Sequence, residues 1–66
     1  MRTVIATNEF CNWVKVKEYG CLIPLSKNDK VYIEGNEYDI KSIILDTDEG
    51  VLYAMIDFKE YKMNNN

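Results

Sequence analysis

Residues Val51–Phe58 read Val-Leu-Tyr-Ala-Met-Ile-Asp-Phe, and no other stretch limits the possible folds as tightly. Side chains alternate across a strand. Leu52, Ala54, Ile56 and Phe58 would therefore line one face, and Val51, Tyr53 and Met55 the other, which ends at Asp57. The strand before it has the same character, with Ser42 and Ile44 on one side and Ile43 and Leu45 on the other. A sheet wetted on one side needs only one apolar face. Two explanations follow. Either the N-terminal segment, with Phe10, Trp13 and Val14, covers the second face, or part of that face is an exposed patch that binds another chain.

The chain is too short for more than one domain: 66 residues, 47% apolar and 29% charged, a balance that suits a folded unit rather than a disordered one. Residues 1–62 are expected to form that unit, with 63–66 as a disordered tail. Small scaffolds of this kind lean on a disulfide, a metal or a partner subunit, because the core they can build is small. A catalytic cleft is hard to fit; a binding surface is easy. Arg2 is followed by mixed residues rather than the apolar stretch of a secretory signal, and the longest uncharged apolar run, Val51–Ile56, is too short to span a bilayer. A cytoplasmic location and no membrane partner are the expectations, and there Cys11 and Cys21 would stay reduced.

Strand signals dominate. Residues 30–61 are rich in Val, Ile and Tyr and are broken by acidic, glycine-containing turns. Gly35-Asn36 is a favoured two-residue hairpin loop. Pairing outward from it sets Ile33 opposite Tyr38 and Val31 opposite Ile40, all on one face, and Glu34 opposite Glu37. A second hairpin turns at Asp46-Thr47-Asp48-Glu49-Gly50, with loop length and strand parity left open. Pro24 makes the preceding segment an edge or a strand start. One short helical turn near residues 8–14 is the alternative there, with Asn8 as N-cap, but Trp13-Val14-Lys15-Val16-Lys17 alternates and favours strand.

These strands, joined as a meander after one or two N-terminal strands, avoid open edges by curling. The pattern Leu25-x-x-x-Asp29-x-Val31-x-Ile33-x-Gly35-x-x-Tyr38-x-Ile40, followed by Gly50 and Val51–Ile56, resembles the small Src-homology-three-like barrels of bacterial and bacteriophage proteins. The resemblance covers about half the chain, is one of fold, and carries over no functional residue. It implies an all-β protein: a partly open barrel or curled antiparallel sheet of about five strands.

Each chemical motif has a plainer explanation. Asp46-x-Asp48-x-Gly50 echoes the start of a calcium loop, with Asp57 at the twelfth position, but Gly50 and Val51 stand where a third oxygen ligand and the glycine belong. A hairpin turn accounts for it. Two cysteines and no histidine do not complete a zinc site, and without a neighbouring base neither thiol is activated, so both read as small buried apolar residues. No phosphate loop and no acid in an apolar pocket is visible. The expectation is no enzyme, no cofactor and no metal.

Charge is uneven. Residues 1–33 hold five bases and three acids, and residues 34–57 hold seven acids and one base. The acidic half repels phosphates, which disfavours nucleic acid. A non-catalytic binding module is therefore expected, an accessory or regulatory protein of a bacterium or phage acting through protein contact or self-association. Its anchor would be Val51, Tyr53, Met55 and Trp13, rimmed by Asp46, Asp48, Glu49 and Asp57. The alternative is single-stranded nucleic-acid binding, with Trp13 and Tyr19 stacking bases among Lys15, Lys17, Lys27 and Lys30.

Overall fold

The computed structural model describes residues 1–64. Strands β1 (Arg2–Glu9), β2 (Asn12–Tyr19), β3 (Lys30–Ile33), β4 (Asn36–Asp39), β5 (Ser42–Asp46) and β6 (Val51–Ile56) precede helix α1 (Phe58–Asn64). The protein is mainly β, as its alternation predicts. Its strands form a four-stranded sheet in the order β2-β1-β6-β5 and a separate two-stranded sheet, β3-β4. The sheet does not close into a barrel.

The N-terminal segment does not cover the sheet; it is part of it. β1 lies between β2 and β6, antiparallel to the first and parallel to the second, with Arg2 opposite Val51 and Thr7 opposite Ile56. Both edges of β1 are paired, and Thr3-Val4-Ile5-Ala6-Thr7 is buried throughout. The two threonines in that run are satisfied locally. Thr7 Oγ1 donates to the Ile56 carbonyl at 3.0 Å. Thr3 Oγ1 accepts the Ile23 N–H at 2.8 Å and donates to the Cys21 carbonyl at 2.9 Å. Thr3 thus fastens the Pro24-containing loop to the sheet.

No helical turn forms at residues 8–14. β1 and β2 are joined by a tight turn at Phe10-Cys11, with Glu9 opposite Asn12. The β-branched alternation of β2 outweighs the isolated N-cap at Asn8, because pairing with β1 along eight residues satisfies more of the backbone than one helical turn would. Cys11 and Cys21 are free and exposed rather than buried, since one sits in that turn and the other just beyond the end of β2.

The first acidic hairpin turns one residue earlier than Gly35-Asn36. Glu34 and Gly35 are its central pair, with φ of 52° and 82°, the positive values that a type I′ turn demands. Val31 now opposes Tyr38, and Lys30 opposes Asp39. Parity is unchanged, so the apolar set keeps its face. The shift separates Glu34 from Glu37 and lets Lys30 Nζ reach Asp39 at 2.8 Å and Glu37 at 3.3 Å. The expected meander breaks after Ile40, whose N–H donates to Asp29 and whose carbonyl accepts from Asn28, both at 2.8 Å. Those bonds direct β4 and β5 into different sheets.

The second hairpin has a four-residue loop, with Asp46 opposite Val51. Asp46 Oδ1 accepts the N–H groups of Asp48 and Glu49, both at 3.1 Å, and Gly50 supplies the positive φ of 68°.

One face of the large sheet carries Ile5, Leu52, Ala54 and Ile56, which pack with Ile33, Tyr38 and Ile40 from the smaller layer. Burying each isoleucine or leucine there contributes about 1.5–3 kcal/mol. β6 ends at Ile56, so Phe58 starts α1 instead of continuing the strand. Asp57 and Glu60 have the spacing of a capping box, and the Asp57 carbonyl accepts the Tyr61 N–H at 3.1 Å. Seven residues are too few for a helix to persist alone. Tyr61 packs on the core, and Asn64 Nδ2 donates to the Tyr38 hydroxyl at 3.2 Å. Met63 and Asn64, expected in a disordered tail, therefore belong to α1. Residues 65 and 66 lie outside the described residues.

Candidate functional site

Among the described residues, no second layer lies over the opposite face of the large sheet. α1 and the β3-β4 hairpin both lie on the core side. On the bare side Val4, Ala6, Val51 and Met55 form a smaller apolar cluster, with Tyr53 packed against it. Register brings Trp13 and Ile44 to the same side: Trp13 opposes Asn8 on β1, two steps from Ala6, and Ile44 opposes Tyr53. The rings of Trp13 and Tyr53 meet edge to face, with centroids 5.1 Å apart and planes at 85°. Such a pair adds about 0.5–1.5 kcal/mol to the burial of its area.

Val51 and Met55 do not belong to an exposed anchor. They are 0% and 8% exposed and pack in the cluster with Val4, Ala6 and Tyr53. What reaches solvent is Trp13, at 50%, and Ile44, at 45%, with Tyr53 half-buried between them. Trp13, Tyr53, Ile44 and Asp46 line an open groove of about 420 Å³. A neighbouring depression of about 360 Å³ shares Trp13 and Ile44 and extends past Lys41, Ser42 and Met55 to Asp57 and Phe58. Ile44 was legible as an apolar residue of the second face; its place beside Trp13 required the parallel pairing of β1 with β6.

The acids do not act as one rim. Asp46 borders the groove while its carboxylate holds its own turn, and Asp57 borders the second depression at the start of α1. Asp48 and Glu49 are exposed in the loop. Among the described residues no group of three or more His, Cys, Asp or Glu could hold a metal ion.

The residues named for nucleic acid are dispersed. Trp13 lies on the bare face, whereas Tyr19 opposes Thr3 and packs on the core face, with Lys17 Nζ 5.6 Å from its ring. Lys15 and Arg2 both bind Glu18, at 3.1 and 3.5 Å, and the Lys15 hydrogen bond holds the Glu18 carboxyl below the usual range. Lys30 is engaged on the β3-β4 hairpin. Hydrogen bonds that Lys30 donates to Asp39 and Glu37 push its ammonium up, and Lys30 in turn lowers Asp39. A hydrogen bond to Glu37 raises the Tyr32 hydroxyl. Lys27 is exposed in the loop before β3.

Phe10, named with Trp13 and Val14 as a possible cover for the second face, does not cover it. It is 91% exposed at the β1-β2 turn and has a φ of 57°, an unusual conformation for an aromatic residue.

No helix among the described residues is long and apolar enough to cross a membrane. Comparison with family models, with curated proteins and with solved structures finds no match for this chain.

Proposed function

We propose that this protein is a non-catalytic binding module that works through protein–protein contact, including contact between its own copies, as an accessory protein of bacterial or phage type. The observation that carries this reading is the bare sheet face on which Trp13 and Ile44 flank a half-buried Tyr53. An aromatic anchor beside an aliphatic one, in a shallow groove with a carboxylate at its border, is the composition of a contact hot spot. The smaller cluster beneath it makes that groove a rigid platform rather than a loose patch. Protein is favoured over nucleic acid because Lys15 is paired with Glu18, Lys30 is paired on the β3-β4 hairpin, and the two candidate stacking rings lie on opposite faces.

The test compares the full chain with Trp13→Ala, each immobilised and exposed to extract from the source cell, with bound proteins quantified. Circular dichroism confirms that both are folded. A protein, or further copies of this chain, held by the wild type and lost by the variant is the expected result. Equal retention of every bound protein would refute the role of this face.

A further inference from the structure

Each open strand edge offers unpaired N–H and C=O groups to another chain, and proteins normally guard such edges with charge, bulges or short length. In this fold all but one are guarded. β2 carries Lys15, Lys17 and Glu18 along its outer side, and its register with β1 shifts between Ile5 and Ala6. β3 and β4 are four residues each and bear Lys30, Glu37 and Asp39. β5 is different. Among the described residues it has a strand neighbour on one side only. Its centre is Ile43-Ile44-Leu45, with Ile44 45% and Leu45 52% exposed on opposite faces.

We infer that β5 pairs antiparallel with β5 of a second copy, joining two four-stranded sheets into one of eight strands about a two-fold axis. The charges flanking β5 select the partner and the register. Lys41 precedes the strand and Asp46 ends it, and alternation sets Asp46 with Ser42 and Ile44 on the groove side. With Ile44 opposite its own mate, Ser42 faces Asp46 of the other copy, and Lys41 falls beside Thr47 in that copy's acidic turn, between Asp46 and Asp48. Ile43 opposes Leu45 on the other face. Antiparallel pairing is thus self-complementary in charge and in shape, whereas parallel pairing would set Lys41 beside Lys41 and Asp46 beside Asp46. The contact is isologous and closes at two copies, so β5 is consumed and no open filament follows.

The inference rests on the binding reading above and specifies its partner. Sedimentation across a range of concentrations gives the mass of the wild type, Ile44→Lys, Lys41→Glu and Trp13→Ala. Circular dichroism reports folding, and amide hydrogen exchange reports the β5 backbone. The wild type is expected to be a dimer whose β5 amides become more protected as concentration rises. Ile44→Lys, an edge lysine at an exposed position, should be a folded monomer. Lys41→Glu should weaken association by about tenfold, from like charges set side by side. A wild type that stays monomeric at every concentration overturns the inference. So does a dimer indifferent to both β5 variants yet abolished by Trp13→Ala; that result leaves the binding face standing and moves the contact from the edge to the groove.

Discussion

Replacing Thr3 with valine keeps the shape of a wholly buried side chain and deletes only its hydroxyl. An account based on apolar burial expects a gain of about 0.8 kcal/mol from the new methyl group. The hydrogen bonds say otherwise. Thr3 Oγ1 is the partner of both the Ile23 N–H and the Cys21 carbonyl, so the substitution strands two main-chain groups. Each orphaned group costs about 1–2 kcal/mol at a part-buried site. The net loss is then about 1–3 kcal/mol, a large share of the roughly 3–5 kcal/mol that a domain of this size commands. Thr7→Val is the internal comparison, because Thr7 is equally buried but serves only the Ile56 carbonyl. Thr3→Ser is the second, since it keeps both bonds and loses one methyl. Urea unfolding followed by circular dichroism should rank stability as wild type, then Thr7→Val and Thr3→Ser, with Thr3→Val lowest. A Thr3→Val protein as stable as the wild type would show that the loop at Cys21–Ile23 does not depend on this hydroxyl.

Two further outcomes follow from the β3-β4 hairpin. Glu34 sits at a φ of 52°, where asparagine is at ease, so Glu34→Asn should raise stability by about 0.5–1 kcal/mol in the same unfolding assay; a loss would mean that the Glu34 side chain makes a contribution unrelated to its backbone. Asp39 is lowered, so its contribution is complete above the ordinary carboxylate range and is lost as pH falls through the lowered value. Lys30 is raised, so its contribution is complete below the ordinary lysine range and is lost as pH climbs through the raised value. Stability owed to this exposed pair is therefore flat across neutral pH and falls at both extremes. An NMR titration should find the Asp39 carboxyl shifted upward in Lys30→Gln; an unchanged midpoint would exclude Lys30 as the cause.

Local features of this fold were readable from residues alone. Alternation located β2, β5 and β6, and turn chemistry located both acidic hairpins, missing the first by one residue because Glu34 accepts a positive φ so that Lys30 can meet Asp39. Helix α1 had a signal as well, Asp57-x-x-Glu60 with Lys62 in the last turn, but Phe58 extends the alternation of β6 and masked it. The pairing of β1 with β6 was not readable. It joins residues such as Thr7 and Ile56 that stand 49 apart, and no turn or periodicity encodes a contact between distant strands. The site shared that fate. Val51 and Met55 are buried in a cluster with Val4 and Ala6, which the pairing of β1 with β6 brings together, so the exposed anchor narrows to Trp13, Tyr53 and Ile44.

Strand β1 precedes β2 to β5 in the chain, and its second neighbour in the sheet, β6, follows them all. Until β6 emerges, the β1-β2 hairpin displays Thr3-Val4-Ile5-Ala6-Thr7 with one side unzipped. Closing that gap requires a loop that spans β2 to β5, so the sheet cannot be completed until β6 has emerged. Ribosome-bound chains stalled before Val51 should therefore be sensitive to protease throughout, however much of the hairpin has already been made.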